Sequence, residues 1–396
     1  MKFEHAAFPL RLLWSSPFAR WQGSLSDVSS LDLAAAVTAD ALADRHVDLA
    51  SIDRLVVGQT IPQQHSFYAV PWLASRLGLP GLSGPMVSQA CATSVACVVA
   101  AAAQVELDAH AMPLIVTTDR TSNGPLLVYP RTRAMGGSPL TEQWVLDSFA
   151  ADPNTGLAMV ATAERVGRDG RMSRTDLDEL TLLRWHQYQS ALDQDRAFQR
   201  RYMQPVTIPR GKGKPLRLDA DEGIHTYSAD GLAGLRPVQE GGVVTFGSQT
   251  HPADGCAGAL AASAKNAAAL AQGDGVVRLM AAAFTRVDKA EMPKAATTAA
   301  LAALHEAEVP ISEVRFVVTH NPFAVNDLWF MQQTGFPADR MNPYGCSLIY
   351  GHPQGPTGLR GIVELAHALA EAGGGVGVFT GCAAGDTGGA VVLRVA

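Results

Sequence analysis

Two stretches far apart in this chain repeat one spacing. RLVVG (Arg54–Gly58) and RFVVT (Arg315–Thr319) are short β-branched runs that read as buried strands. From Val56 to Cys91 is 91 − 56 = 35 residues, and from Val317 to His352 is 352 − 317 = 35. The next strand-like runs, LIVTT (Leu114–Thr118) and VGVFT (Val376–Thr380), follow at 117 − 91 = 26 from Cys91 to Thr117 and 379 − 352 = 27 from His352 to Phe379. Helical patterns fill the gaps at Ser66–Leu77, Phe323–Gly335 and Thr357–Ala372, and another covers Leu31–Leu42. Alternating strands and helices make a largely buried sheet, and the matched spacing makes the unit a duplicated one. The expected fold class is α/β with two similar halves. Between them, from about Thr121 to Val243, the chain carries aromatic, Arg and Pro residues and fewer strand-like runs.

A length of 396 residues exceeds one ordinary core, which agrees with two core units. A net charge of -6 argues against a general nucleic-acid partner. No long apolar stretch free of charge stands out as a membrane span, and MKFEHAAFPLRLLW lacks the basic start and long apolar middle of a signal peptide. The five cysteines are odd in number and widely spread, the usage of reduced thiols in a cytoplasm. Neither CxxC nor HExxH occurs, so no metal is expected. Arg196–Arg217 holds seven basic residues and no acidic one, which fits a solvated surface or a patch for a phosphorylated ligand. PRGKGKP lacks the spacing of a phosphate-binding loop.

Four places could carry chemistry. Cys91, in SQACATSVACVVAAAA, stands at the front of a helix that is apolar all round and hence buried. A helix start lowers a thiol's pKa and can hold an oxyanion, although packing is the commoner fate of a cysteine; Cys97 fits that fate. His352, in YGHPQGPTG, occupies the position in the second half that Cys91 occupies in the first. Two halves packed about a pseudo-twofold axis would set the two helix starts face to face, and Cys beside His is an activated nucleophile. Cys382 lies in FTGCAAGDTGGA, just beyond a strand expected to end at Thr380, and His320–Asn321 follow another strand. Strand ends are where α/β folds place their sites.

These residues together resemble the thiolase family, and the likeness runs along nearly the whole chain. SSPFARWQGSLSDVSSLDLAAAV is similar to the family's N-terminal region, SQACATSVACV to its nucleophile segment, and TTDRTSNGP and MVATAERV to two further stretches. GGVVTFGSQTHPADGCAGA resembles the stretch that leads into the second half. NPYGCSLIYGHPQGPTGLR resembles NvnGGAIAlGHPlGaSGaR, and FTGCAAGDTGGA stands where the family has CxGGGxG. The order of Cys, GHP and a final Cys distinguishes thiolases from ketosynthases of the same fold.

The resemblance implies a five-layer α/β/α/β/α fold with an inserted loop domain. Its segments would be an N-terminal half (1–120), a loop domain that binds coenzyme A (121–245) and a C-terminal half (246–396). It implies no permanently bound cofactor, acyl-CoA and CoA as substrates, and a homodimer or homotetramer. Cys91 would take an acyl group from a 3-ketoacyl-CoA; His352 would accept its proton and help hold the thioester oxyanion. Cys382 would protonate the leaving acetyl-CoA carbanion, or remove that proton in synthesis. A condensing enzyme running only in synthesis and a non-catalytic subunit are the alternatives.

The chain departs from the pattern in places. His320 replaces the Asn that would hold an oxyanion water, in HNPF rather than NEAF and nearer to the HDCF of a sterol-carrier branch. Ala384 replaces a glycine whose backbone N–H would be a donor, and Ala158 replaces a His beside Met159. His225 and Thr250 stand where an Arg and a Ser would touch coenzyme A. Met159 and Phe323 would line the acyl pocket or serve as core.

Overall fold

The computed structural model describes residues 1–133, 136–209 and 213–396, so Arg210 and Lys212 of the basic run lie outside the described residues. In chain order the main strands are β1 (Ala6–Pro9), β2 (Leu13–Ser15), β3 (Arg54–Gly58), β4 (Met86–Val87), β5 (Pro113–Arg120), β6 (Ala253–Leu260), β7 (Ala262–Ser263), β8 (Val276–Arg286), β9 (Val314–His320), β10 (Gly375–Ala383) and β11 (Thr387–Val395). The principal helices are α1 (Ser30–Asp44), α2 (Ala69–Arg76), α3 (Thr93–Leu107), α4 (Met159–Asp169), α5 (Arg174–Arg196), α6 (Met292–Ala307), α7 (Ala324–Thr334) and α8 (Gly355–Glu371).

The repeated spacing corresponds to repeated topology. One sheet has the order β2-β6-β5-β3-β4 and the other β7-β1-β8-β11-β10-β9. In the first, β3 runs parallel to β4 and β5, and β6 is antiparallel to β5. In the second, β9 runs parallel to β10, β11 is antiparallel to β10, and Met341 bridges Val317 in parallel, as Met86 pairs with Val57. The third expected segment, 246–396, contributes its first strand, β6, to the first sheet, with Cys256 opposite Thr118. In exchange β1 joins the second sheet, with Phe8 opposite Val277.

Helices α3 and α8 form the layer between the sheets. Val95, Val98 and Val105 of α3 share one core with Leu359, Ile362 and Leu365 of α8 and with strand residues of both sheets. Ala90–Leu107 is long and apolar enough to cross a membrane by length and composition; here it is a core helix. Residues Gly355–Leu369 are all buried. Glycine lets α8 come this close: a Cβ at Gly361 would lie 2.5 Å from the Phe379 ring, and one at Gly358 would lie 2.9 Å from Ser94 Cβ. Helices α1 and α2 cover the outer face of the first sheet, α6 and α7 that of the second, which completes the five layers.

A fully buried helix can hold charge only with partners. Arg360 of α8 forks onto Asp221 at 2.6 and 2.8 Å and reaches Glu364 at 2.9 Å. Tyr202 and Tyr350 donate to the two oxygens of Glu364, and Tyr188 donates to Asp221. The guanidinium lies 3.7 Å from the Tyr350 ring centre. A second buried pair, Arg184–Asp327 at 2.9 Å, ties α5 to α7. The inserted region is thus fastened to the middle layer and to the second half by charge.

Candidate active site

The sulfur of Cys91 lies on the turn between β4 and α3, two residues ahead of Thr93. The turn is sharp: Ala90 has φ 45°, and Thr93 Oγ1 closes it by accepting from Gln89 N and donating to Ala90 O. The expected lowering of the thiol's pKa by the helix start is overturned. Burial pushes the thiol up to about 12, and the backbone N–H groups of Ala384 and Cys91 act in the opposite direction without prevailing. Burial at the seam between the halves outweighs both those donors and the helix start.

His352 comes to the same point from the second half. Its backbone N–H donates to His251 O, and its carbonyl accepts from Ala253 N, which fixes the loop. Its Nε2 is 3.2 Å from Cys91 Sγ, and its Nδ1 is 2.6 Å from Thr357 Oγ1. Burial holds its pKa well below the usual value, and neighbouring His320 adds to the effect. With Nδ1–H donated to Thr357, the neutral ring presents the Nε2 lone pair to the thiol.

The ring of His320, at the end of β9, stacks on that of His352 with centroids 4.0 Å apart and planes at 25°. Its Nδ1 is 2.9 Å from Ser347 Oγ, and its Nε2 is buried without a partner. Burial pushes its pKa down to about 3, so its charge does not change across the neutral range. Donor atoms of Cys91, His320 and His352 lie within 4.8 Å of one another, a set that could take a thiophilic cation. Proton transfer needs only the Cys91–His352 pair as placed.

Strand β10 runs on to Ala383, so Cys382 sits inside its end rather than in the loop beyond. Its sulfur accepts from Asn326 Nδ2 at 3.2 Å, and burial raises its pKa, with Cys91 adding to the rise and Asn326 opposing it. Ala384 tolerates its side chain because the left-handed turn falls on Gly385 (φ 80°) and Asp386 (φ 59°) instead.

Cys91, His352, Cys382 and Ala384 open onto one cavity of about 320 Å³. Met159, Phe323 and Thr250 also line it, beside Phe149, Val160 and Met292. The Thr250 hydroxyl is committed to Ser347 O at 2.5 Å. His225 does not line the cavity; it is exposed, its ring 6.1 Å from that of His251.

Three residues at this site are not singled out by the sequence, although Asp119 and Gln354 lie within TTDRTSNGP and YGHPQGPTG. Asn326 on α7 holds Cys382. Asp119, at the end of β5, accepts from Thr60 N, Thr60 Oγ1, Ile61 N and Gly355 N at 2.7–2.9 Å, so it ties the first half to the start of α8. Burial pushes its carboxyl up to about 7 against those hydrogen bonds. Gln354 places Oε1 3.4 Å from Cys91 Sγ.

Known proteins share this frame. Residues 14–265 match the family "Thiolase, N-terminal domain" and residues 274–395 match "Thiolase, C-terminal domain". The chain is 28% identical over 382 residues to an acetyl-CoA acetyltransferase of Chromobacterium violaceum, covering 94% of this chain and 95% of that one. It is 27% identical over 420 residues to a 3-ketoacyl-CoA thiolase of Pseudoalteromonas translucida, covering 96% and 95%. The crystal structure of human mitochondrial 3-ketoacyl-CoA thiolase in complex with CoA superposes with a TM-score of 0.89 at 22% identity, covering 100% of this chain and 99% of that one. An acetyl-CoA acetyltransferase structure from Bacillus anthracis gives 0.90 at 21%, covering 100% of each.

Proposed function

This chain belongs to the thiolase family, and on that premise we propose that it cleaves 3-ketoacyl-CoA with free CoA, or runs the reverse condensation, through an acyl group on Cys91. The observation that carries the reading is Cys91 Sγ at 3.2 Å from His352 Nε2 beside the buried thiol of Cys382. The thiol proton has to pass to a base in contact, and His352 Nε2 is placed to take it.

The chemistry follows from the placement. His352 Nε2 takes the thiol proton, and the sulfur attacks the ketone carbon. The oxyanion that forms faces the backbone N–H groups of Ala384 and Cys91, which already point at the sulfur. The bond between the ketone carbon and the α-carbon then breaks, and its electrons pass to the thioester enolate. Protonated His352 holds the thioester oxygen. His320 supplies a second donor there when Ser347 donates to its Nδ1 and the free Nε2 carries hydrogen. Cys382 gives its proton to the α-carbon, acetyl-CoA leaves, and CoA thiol returns a proton as it takes the acyl group from Cys91. Two half-reactions mean ping-pong kinetics.

The cavity's apolar lining fits a hydrocarbon acyl group with room beyond acetyl, within the roughly 300–1,000 Å³ of small-ligand sites. The protein works as a homodimer or homotetramer: Phe67, Tyr68 and Trp72 are exposed on and before α2, and Tyr68 donates to Gly84 O just ahead of the edge strand β4. Its five cysteines are all free thiols, which suits a reducing cytoplasm.

Mass spectrometry of the intact protein after incubation with acyl-CoAs of increasing chain length tests the reading. One acyl increment, mapped to Cys91, is expected, largest for chains beyond acetyl; an increment on another cysteine would refute it. Cys382→Ser should leave that acylation intact and slow exchange of the acyl α-protons with deuterated water by about 100-fold. Equal loss of both would remove its assigned role.

A further inference from the structure

Gln354 combines two local costs at one position. Its backbone stands at φ 64°, ψ −106°, a pairing that a side-chain-bearing residue keeps only when its surroundings impose it. Its side chain is buried, and its amide Nε2 has no hydrogen-bond partner. An apolar side chain, such as the one in the family's GHPlG, would avoid the unpaired donor. Glycine would avoid the strain. Packing therefore does not account for glutamine, and its contacts with the nucleophile Cys91 and with the His352 ring, whose protonated form it favours, do.

The thiol of Cys91 has one hydrogen and two acceptors in reach, His352 Nε2 at 3.2 Å and Gln354 Oε1 at 3.4 Å. With the hydrogen on Oε1, the thiol is held but not yet engaged with its base. With the hydrogen turned to His352, Oε1 would face the sulfur lone pairs. A half-turn of the carboxamide then brings Nε2–H to the sulfur and gives the orphaned donor an acceptor; the two orientations have the same shape. We propose that Gln354 is a further catalytic residue, whose carboxamide accepts the thiol hydrogen at rest and donates Nε2–H to the thiolate once His352 has taken the proton. The S–H bond breaks, the proton goes to His352 Nε2, the electron pair stays on sulfur, and the amide exchanges no atoms. This role rests on Cys91 being the acylated nucleophile. It adds a side-chain donor to the backbone N–H groups of Ala384 and Cys91 at the sulfur. The strained backbone places the Cα, on the second half, where the side chain can reach a sulfur on the first.

The test compares iodoacetamide alkylation of Cys91, read by peptide mass spectrometry, with acylation by butyryl-CoA. Gln354→Leu keeps the bulk and removes the amide. Both rates should fall about tenfold at every pH from about 6 to 9, as expected for one charge-assisted hydrogen bond, with KM for CoA unchanged. Gln354→Glu keeps an acceptor but loses the donor and should be at least as slow. Gln354→Gly should raise Tm by relieving the backbone while both rates still fall, whereas a packing role would make the rates follow stability. Wild-type rates in the leucine variant, with acyl still on Cys91, would overturn the role of Gln354 alone. Acyl found on another cysteine in the unaltered protein would overturn the function proposed above, and this role with it.

Discussion

Cys91→Ser is expected to lower kcat by about 10⁴-fold or more while leaving Tm within a degree or two. The exchange replaces sulfur by a smaller oxygen in a partly exposed position, so packing barely changes. His352 would still stand beside it, and Ala384 and Cys91 N–H would still face it. What is lost is the nucleophile: an alcohol is a weaker acid than a thiol, and the site already raises the thiol by burial. Residual turnover would come only from binding and the oxyanion donors. The check is thiolysis of a 3-ketoacyl-CoA followed alongside thermal unfolding. Turnover within tenfold of the unaltered protein would sink the nucleophile assignment.

The largest effect on stability is expected at Arg360. Arg360→Leu leaves Asp221 and Glu364 in the interior without their cation, and removing one partner of such a network costs about 3–5 kcal/mol. A fall in Tm of roughly 4–6 °C should follow. The loss has a predictable pH course. Burial already raises the folded pKa of Glu364, and Arg360 is the first influence that opposes it. Without the cation that pKa rises further. A carboxyl raised in the folded state favours folding while it is protonated and loses that contribution as pH climbs through the folded value. The variant should therefore lie nearest to the unaltered protein in mild acid and fall away toward alkaline pH. Denaturation midpoints across pH measure this; a pH-independent difference, or none, would contradict it.

The periodic parts of the fold were legible because they are local. Phe323–Gly335 as a helix, RLVVG and RFVVT as matching strands of the two halves, and the match of Cys91 with His352 follow from spacing alone, and α7, β3, β9 and the contact at 3.2 Å correspond to them. The misses concern relations across the seam. The thiol's environment depends on what closes over it, so the helix-start argument gave the wrong direction. Asp119 and Asn326 acquire meaning only when Gly355 and Cys382 arrive from residues far along the chain. Gln354 was visible in YGHPQGPTG, but its strain and its contact belong to tertiary structure. His225, where the family has a CoA contact, is exposed beside His251 and does not line the cavity.

The exchange of strands between the two sheets has a consequence for how the chain is made. Strand β1 leaves the ribosome early, yet its partner β8 follows 277 − 8 = 269 residues later, counting from Phe8 to Val277. Meanwhile α3, the helix apolar enough to pass for a membrane span, has no α8 to cover it. The nascent protein therefore carries a greasy, uncovered centre through most of its synthesis. Burial of that layer waits until α8 (Gly355–Glu371) emerges, and over-rapid expression should send the chain into inclusion bodies rather than a half-folded soluble form.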